Sequence, residues 1–116
     1  MIRKLEEQNV TPRPALFGGE GEVTMRHLLN GAEEMLGKGR LFARTTVRPG
    51  CSIGYHVHKG DAEVYYILRG AGLYNDNGAE TTVGPGDVTY TAPGQGHSLA
   101  CLGDEPLELI ALVLYE

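Results

Sequence analysis

The run Gly50–Gly70, GCSIGYHVHKGDAEVYYILRG, decides how the chain is read. It holds His56 and His58 one residue apart, then Glu63, then an apolar run that closes on a glycine. Alternate residues of a β-strand point to the same side. His56 and His58 therefore present two imidazoles on one face, and Val57 turns to the other. Lys59-Gly60-Asp61 is a turn signal, after which Glu63 opens a second strand. By the same alternation Glu63 points inward with Tyr65 and Ile67. A buried carboxylate without a partner is costly. Two neutral imidazoles and a carboxylate are what a divalent first-row metal asks for. A third imidazole follows at His97. His56, His58, Glu63 and His97 are thus read as ligands of one divalent transition metal, with Fe, Mn, Zn, Ni and Cu all compatible.

The rest of the chain suits such a site. Its 116 residues allow one domain with a modest core. Seventeen Gly and six Pro are too much punctuation for a helix bundle and fit short strands joined by tight turns. A net charge of −5 with no basic run excludes nucleic acid and anionic membrane as expected partners. The N-terminus MIRKLEEQNV lacks a signal-peptide core, and no apolar run approaches the ~20 residues that span a bilayer. The expectation is a soluble, cytoplasmic protein in which Cys51 and Cys101 stay as thiols.

Residues 1–22, with Pro12, Pro14 and a Gly18-Gly19-Glu20-Gly21 cluster, read as an N-terminal arm, either loose or laid on a neighbouring subunit. Residues 23–116 read as a single β-barrel domain, its first strand beginning near Glu22. Asn30 and Glu33 resemble a capping pair for a short helical turn over 32–36. Roughly nine strands follow from the turn signals, among them Asn75-Asp76-Asn77-Gly78, Gly84-Pro85-Gly86-Asp87 and Ala92-Pro93-Gly94.

The pattern G-x5-H-x-H-x4-E-x6-G fits Gly50, His56, His58, Glu63 and Gly70 without a gap, and resembles the first motif of the cupin superfamily. The looser second motif, G-x5-P-x-G-x2-H-x3-N, is met at Gly86, Gly94 and His97. Ala92 stands in its Pro position and Cys101 in its Asn position. The resemblance implies an all-β fold, a double-stranded β-helix or jelly-roll barrel. It also implies a metal held by three His and one Glu, and a homodimer. It does not choose a reaction.

Beyond the four ligands, Tyr65 and Arg44 are the candidate catalytic residues. Tyr65 shares the face of Glu63, while Arg44 would attract a substrate carboxylate or phosphate if it faced inward. Asp61 reads as a solvated turn residue, His27 as an edge-strand histidine far from either motif, and Cys101 as a core filler. Two functional readings follow. One is a metal-dependent enzyme of dioxygenase, decarboxylase or isomerase type acting on a small organic molecule. The other is a non-catalytic module that binds a metal or small ligand, as a sensor or storage protein does.

Overall fold

The computed structural model describes residues 1–116, which form ten strands and two short 3-10 turns. The strands are β1 (Val10–Pro14), β2 (Glu22–Leu29), β3 (Gly39–Val47), β4 (Ser52–Val57) and β5 (Asp61–Arg69). They continue with β6 (Ala71–Asp76), β7 (Ala79–Val83), β8 (Val88–Thr91), β9 (Gly96–Leu102) and β10 (Leu107–Tyr115). A six-stranded sheet runs β1-β2-β3-β10-β5-β8 and a four-stranded sheet runs β4-β9-β6-β7. Every pairing is antiparallel. The two sheets close on one another as a jelly roll, and no helix is long and apolar enough to cross a membrane.

Alternation builds the core. In β10 the odd-numbered Leu107, Leu109, Ala111 and Val113 are buried while Glu108, Ile110 and Leu112 lie on the outer face. β10 sits between β3 and β5, so Ala111 is opposite Ala43 on one side and Tyr65 on the other. The two alanines leave room inside the barrel. Below them Val23, Val47, Ile67, Leu107 and Leu109 meet Ile53 and Leu99 of the smaller sheet in one continuous cluster. Cys51 and Cys101 pack against that cluster as free thiols, and burial raises the Cys101 pKa.

The N-terminal segment differs from its reading. Residues 10–14 form an edge strand on their own chain's sheet, with Thr11 opposite Met25 and Arg13 opposite Val23. Pro12 and Pro14 are tolerated because an edge strand need not donate on its outer side. The expected helical turn is a run of hydrogen-bonded turns rather than a helix. Its cap is Glu34 in place of Glu33: the Asn30 N–H donates to the Glu34 carboxylate, which Arg3 also clamps through both guanidinium nitrogens at 2.8 and 2.9 Å.

The second 3-10 turn, Leu16–Gly18, lies on β4 and carries Phe17 in a left-handed conformation (φ 52°). Gly54 makes this approach possible. A Cβ there would lie 2.1 Å from the Phe17 carbonyl oxygen and 2.8 Å from the Gly19 nitrogen, both rigid backbone atoms. Gly54→Ala should therefore cost about 1–3 kcal/mol, read as a lower urea midpoint at unchanged slope, and should displace the loop that holds Phe17. An unchanged midpoint would mean that the loop is not held against β4.

Candidate metal centre

Two sheets contribute to one cluster. Glu63 rises from the start of β5 with Thr91 and Val113 beside it in register. His97 on β9 is paired with His56 on β4, and His58 follows directly after β4. The β4–β9 register shifts between Ile53 and His56. This irregularity at Gly54 lets both Ile53 and His56 face inward although strict alternation would put residues three positions apart on opposite faces. One donor atom from each of His56, His58, Glu63 and His97 falls within 4.8 Å of all the others. Glu63, His58 and His97 are buried, and the His56 side chain retains 10% exposure.

The ring orientations say what the cluster is for. His56 Nδ1–H donates to the Gly54 carbonyl at 2.9 Å, and His58 Nδ1–H donates to Asp61 Oδ1 at 2.8 Å. Each ring then carries a bare lone pair on Nε2. His97 Nδ1 lies 2.9 Å from both the Tyr74 and Thr91 hydroxyls, which leaves its Nε2 facing the same point. His97 Nε2 is 3.1 Å from Nε2 of His56 and of His58, and 3.0 Å from Glu63 Oε1. His58 Nε2 is 3.2 Å from the same oxygen. Lone pairs and a carboxylate pointed at one another repel unless a proton or a cation lies among them. Neighbouring ligands at right angles, about 2.1 Å from a shared ion, would themselves be about 3.0 Å apart. The donor set and its spacing fit a divalent cation, with positions to spare for an external ligand in a five- or six-coordinate shell.

The electrostatics agree. Burial pushes the Glu63 pKa up, but the three imidazoles outweigh burial and hold it well below the usual carboxylate range. The Glu63 carboxylate raises His58, opposed by burial and helped by Asp61. Burial lowers His97, and Glu63 opposes that. Glu63 is therefore an anion at neutral pH.

Asp61 is not solvated. It is 7% exposed, accepts from His58, and receives Arg40 Nε at 3.0 Å. A carboxylate behind a ligating imidazole fixes the tautomer and raises the basicity of the other nitrogen. Arg44 faces away from the site and pairs with Glu108 at 3.1 Å on the outer side of the sheet, so it takes no part in the cavity. Tyr65 is where alternation puts it: 2% exposed and stacked on His97 with ring centres 4.9 Å apart. Burial and the neighbouring Glu63 raise its pKa far above 10, so it stays a neutral phenol.

A cavity of about 380 Å³ opens beside the cluster. Its wall includes His56, His58, Glu63 and Tyr65, apolar side chains of both sheets, and three residues passed over by sequence reasoning: Arg13, His27 and Arg40. His27 is not on an edge, because β1 covers that side of β2. Its Nε2 lies 3.0 Å from the Thr11 hydroxyl, and burial, with Arg13 second, lowers its pKa. Phe17 stacks on His56 with ring centres 3.8 Å apart and forms one side of the mouth.

The family model described as Cupin domain matches residues 43–114. The chain belongs to the cupin family. A protein of Thermotoga maritima named oxalate-binding protein is 46% identical over 97 residues, spanning 84% of this cupin and 79% of that relative. The crystal structure of a predicted oxalate decarboxylase from Thermotoga maritima superposes over 100% of both chains with a TM-score of 0.94 at 40% identity. A cupin-like protein of the same organism, 24% identical, matches 83% of this chain and 71% of its own with a TM-score of 0.72, which speaks for the fold alone.

Removing the support behind His58 tests the centre. Asp61→Asn should weaken divalent-metal affinity about 10–100-fold while the far-ultraviolet spectrum stays that of wild type. Competition with a chromogenic chelator reads the affinity, and an unchanged value would show that Asp61 does not act on the centre.

Proposed function

We propose that this cupin binds a small carboxylate at a divalent metal held by His56, His58, Glu63 and His97. The observation that carries this reading is the convergence of three Nε2 lone pairs and one carboxylate oxygen beside a cavity of about 380 Å³. The names of two relatives, an oxalate-binding protein and a predicted oxalate decarboxylase, support a carboxylate as the ligand class. When bound, the metal supplies Lewis acidity toward a ligand oxygen. The chain's own residues do the rest. Glu63 offsets the charge of the cation, and Asp61, Gly54, Tyr74 and Thr91 hold the rings in place. Apolar side chains lining the cavity keep water from competing.

Turnover of the bound carboxylate is a second reading, favoured by one observation. His27 is the one imidazole on the cavity wall that is not a candidate ligand, and an imidazole can serve as a general acid or base. Decarboxylation leaves a carbon that must be protonated, and His27 faces the space where it would form. A homodimer belongs to the same proposal. Exposed Tyr66, Leu68, Val88, Tyr90 and Leu114 on the outer face of the large sheet are what a second copy would cover.

Titration calorimetry with oxalate should give binding to manganese-, iron- or zinc-loaded protein and none to chelator-treated protein. Glu63→Gln should lose at least tenfold in metal affinity, and the oxalate response with it. Oxalate binding that survives metal removal would overturn the proposal. Metal-dependent release of carbon dioxide, abolished in His27→Gln with binding retained, would establish turnover. Binding without any release would leave the non-catalytic form.

A further inference from the structure

The cavity is too large and too unevenly charged for a ligand held only at the metal. Oxalate has six non-hydrogen atoms. A six-carbon ring fills a cavity of about 150 Å³, and this one is about 380 Å³. The surplus space runs away from Glu63. Glu63 is on β5 and Arg13 on β1, with β10, β3 and β2 between them in the sheet. Four strand spacings are about 19 Å on a flat sheet, and the registers set Glu63 level with Leu41 but Arg13 level with Val47, further along the strands, a separation shortened by the curl of the barrel and the reach of the guanidinium. Both residues nonetheless line the same space.

Two polar groups on the far side lack partners. Six of the seven arginines are engaged: Arg3 with Glu34, Arg26 with the Leu5 carbonyl, Arg40 with Asp61, Arg44 and Arg69 with Glu108, and Arg48 with Thr24. Arg13 is the exception, and it stands at the open end of the cavity. Thr45 is 0% exposed, lines the cavity, and its hydroxyl has no hydrogen-bond partner. A buried unpaired hydroxyl is costly, and a ligand oxygen would relieve that cost. Between these groups and the metal end the wall is apolar, with Met25, Leu41, Ile53 and Val113.

We infer that the cavity takes a dicarboxylate longer than oxalate, with one carboxylate at the His56/His58/Glu63/His97 end, its carbon chain along the apolar wall, and its distal carboxylate held by Arg13 with the Thr45 hydroxyl beside its path. This rests on the metal-held carboxylate proposed above. Arg13 sets chain length and excludes monocarboxylates. Its planar fork suits a carboxylate and, being exposed, can engage it without a large desolvation cost.

Calorimetry on metal-loaded full-length protein tests this with straight-chain dicarboxylates of two to eight carbons and the monocarboxylates of equal length. At least one dicarboxylate of four to eight carbons should bind tenfold or more tighter than its monocarboxylate partner. Arg13→Gln should abolish that gain and leave oxalate affinity within twofold of wild type. Thr45→Val should weaken the favoured dicarboxylate at least threefold with no loss of thermal midpoint, which separates ligand contact from folding. If oxalate binds but no longer dicarboxylate outbinds its monocarboxylate, or if Arg13→Gln leaves the gain intact, the distal site is wrong and the metal-held carboxylate stands. If metal-loaded protein binds no member of the series, the parent reading fails and takes this one with it.

Discussion

Mutual repulsion of donors is the constraint around which this barrel is arranged. Three imidazole nitrogens and one carboxylate oxygen meet at separations near 3 Å, in a place that water barely reaches. With each Nε2 a bare lone pair, such a meeting is unfavourable until a proton or a cation lies among the donors. It persists because each group is held from behind by a different device. A backbone carbonyl fixes His56, a carboxylate fixes His58, and a pair of hydroxyls fixes His97. Glu63 is held by its place at the head of β5, flanked by β8 and β10. Folding energy from the apolar cluster below supports a site that is poor in folding energy of its own, as local strain at functional sites generally requires.

The two sheets divide the work. The four-stranded sheet brings the imidazoles, through the pairing of β4 with β9 and the chain just beyond β4. The six-stranded sheet brings Glu63 and most of the cavity wall. Arg40 links the two roles. It lies on β3, lines the cavity, and reaches Asp61 behind His58. Charge at the cavity wall is thereby coupled to the orientation of a ligand through two hydrogen bonds.

What could be read from the sequence follows from what is local. Period-two alternation places His56 with His58 and Glu63 with Tyr65 and Ile67, because each of these relations lies within one strand or its immediate continuation. His97 needed more: its place opposite His56 is a register between strands some forty residues apart, and the motif resemblance supplied it. Asp61 was misread because Lys59-Gly60-Asp61 carries every mark of a solvated turn. Its burial is caused by Arg40, twenty-one residues earlier, and by the His58 ring folding back on it. Arg44 could not be placed by parity, since the inward face of β3 is decided by its neighbours β2 and β10 rather than by its own composition. Arg13 and His27 were passed over for a related reason. Pro12 and Pro14 speak against a strand, yet on a sheet edge they do no harm, and β1 then turns β2 from an edge into an interior strand.

That last point bears on how the site acquires specificity. The candidate metal donors depend on β4 and β9, paired in register, and on β5, brought to them by the closure of the two sheets. The far wall of the cavity is built by β1 and β2, while the Leu16–Gly18 turn reaches the cluster through Phe17 on His56. Changes at Arg13 or Phe17 alter charge and shape at the mouth without touching the buried cluster that stabilises the barrel. Changes at His56 or Glu63 disturb both the centre and the rings around it. In a fold organised in this way the candidate metal cluster and the N-terminal edge of the cavity are built by different parts of the chain.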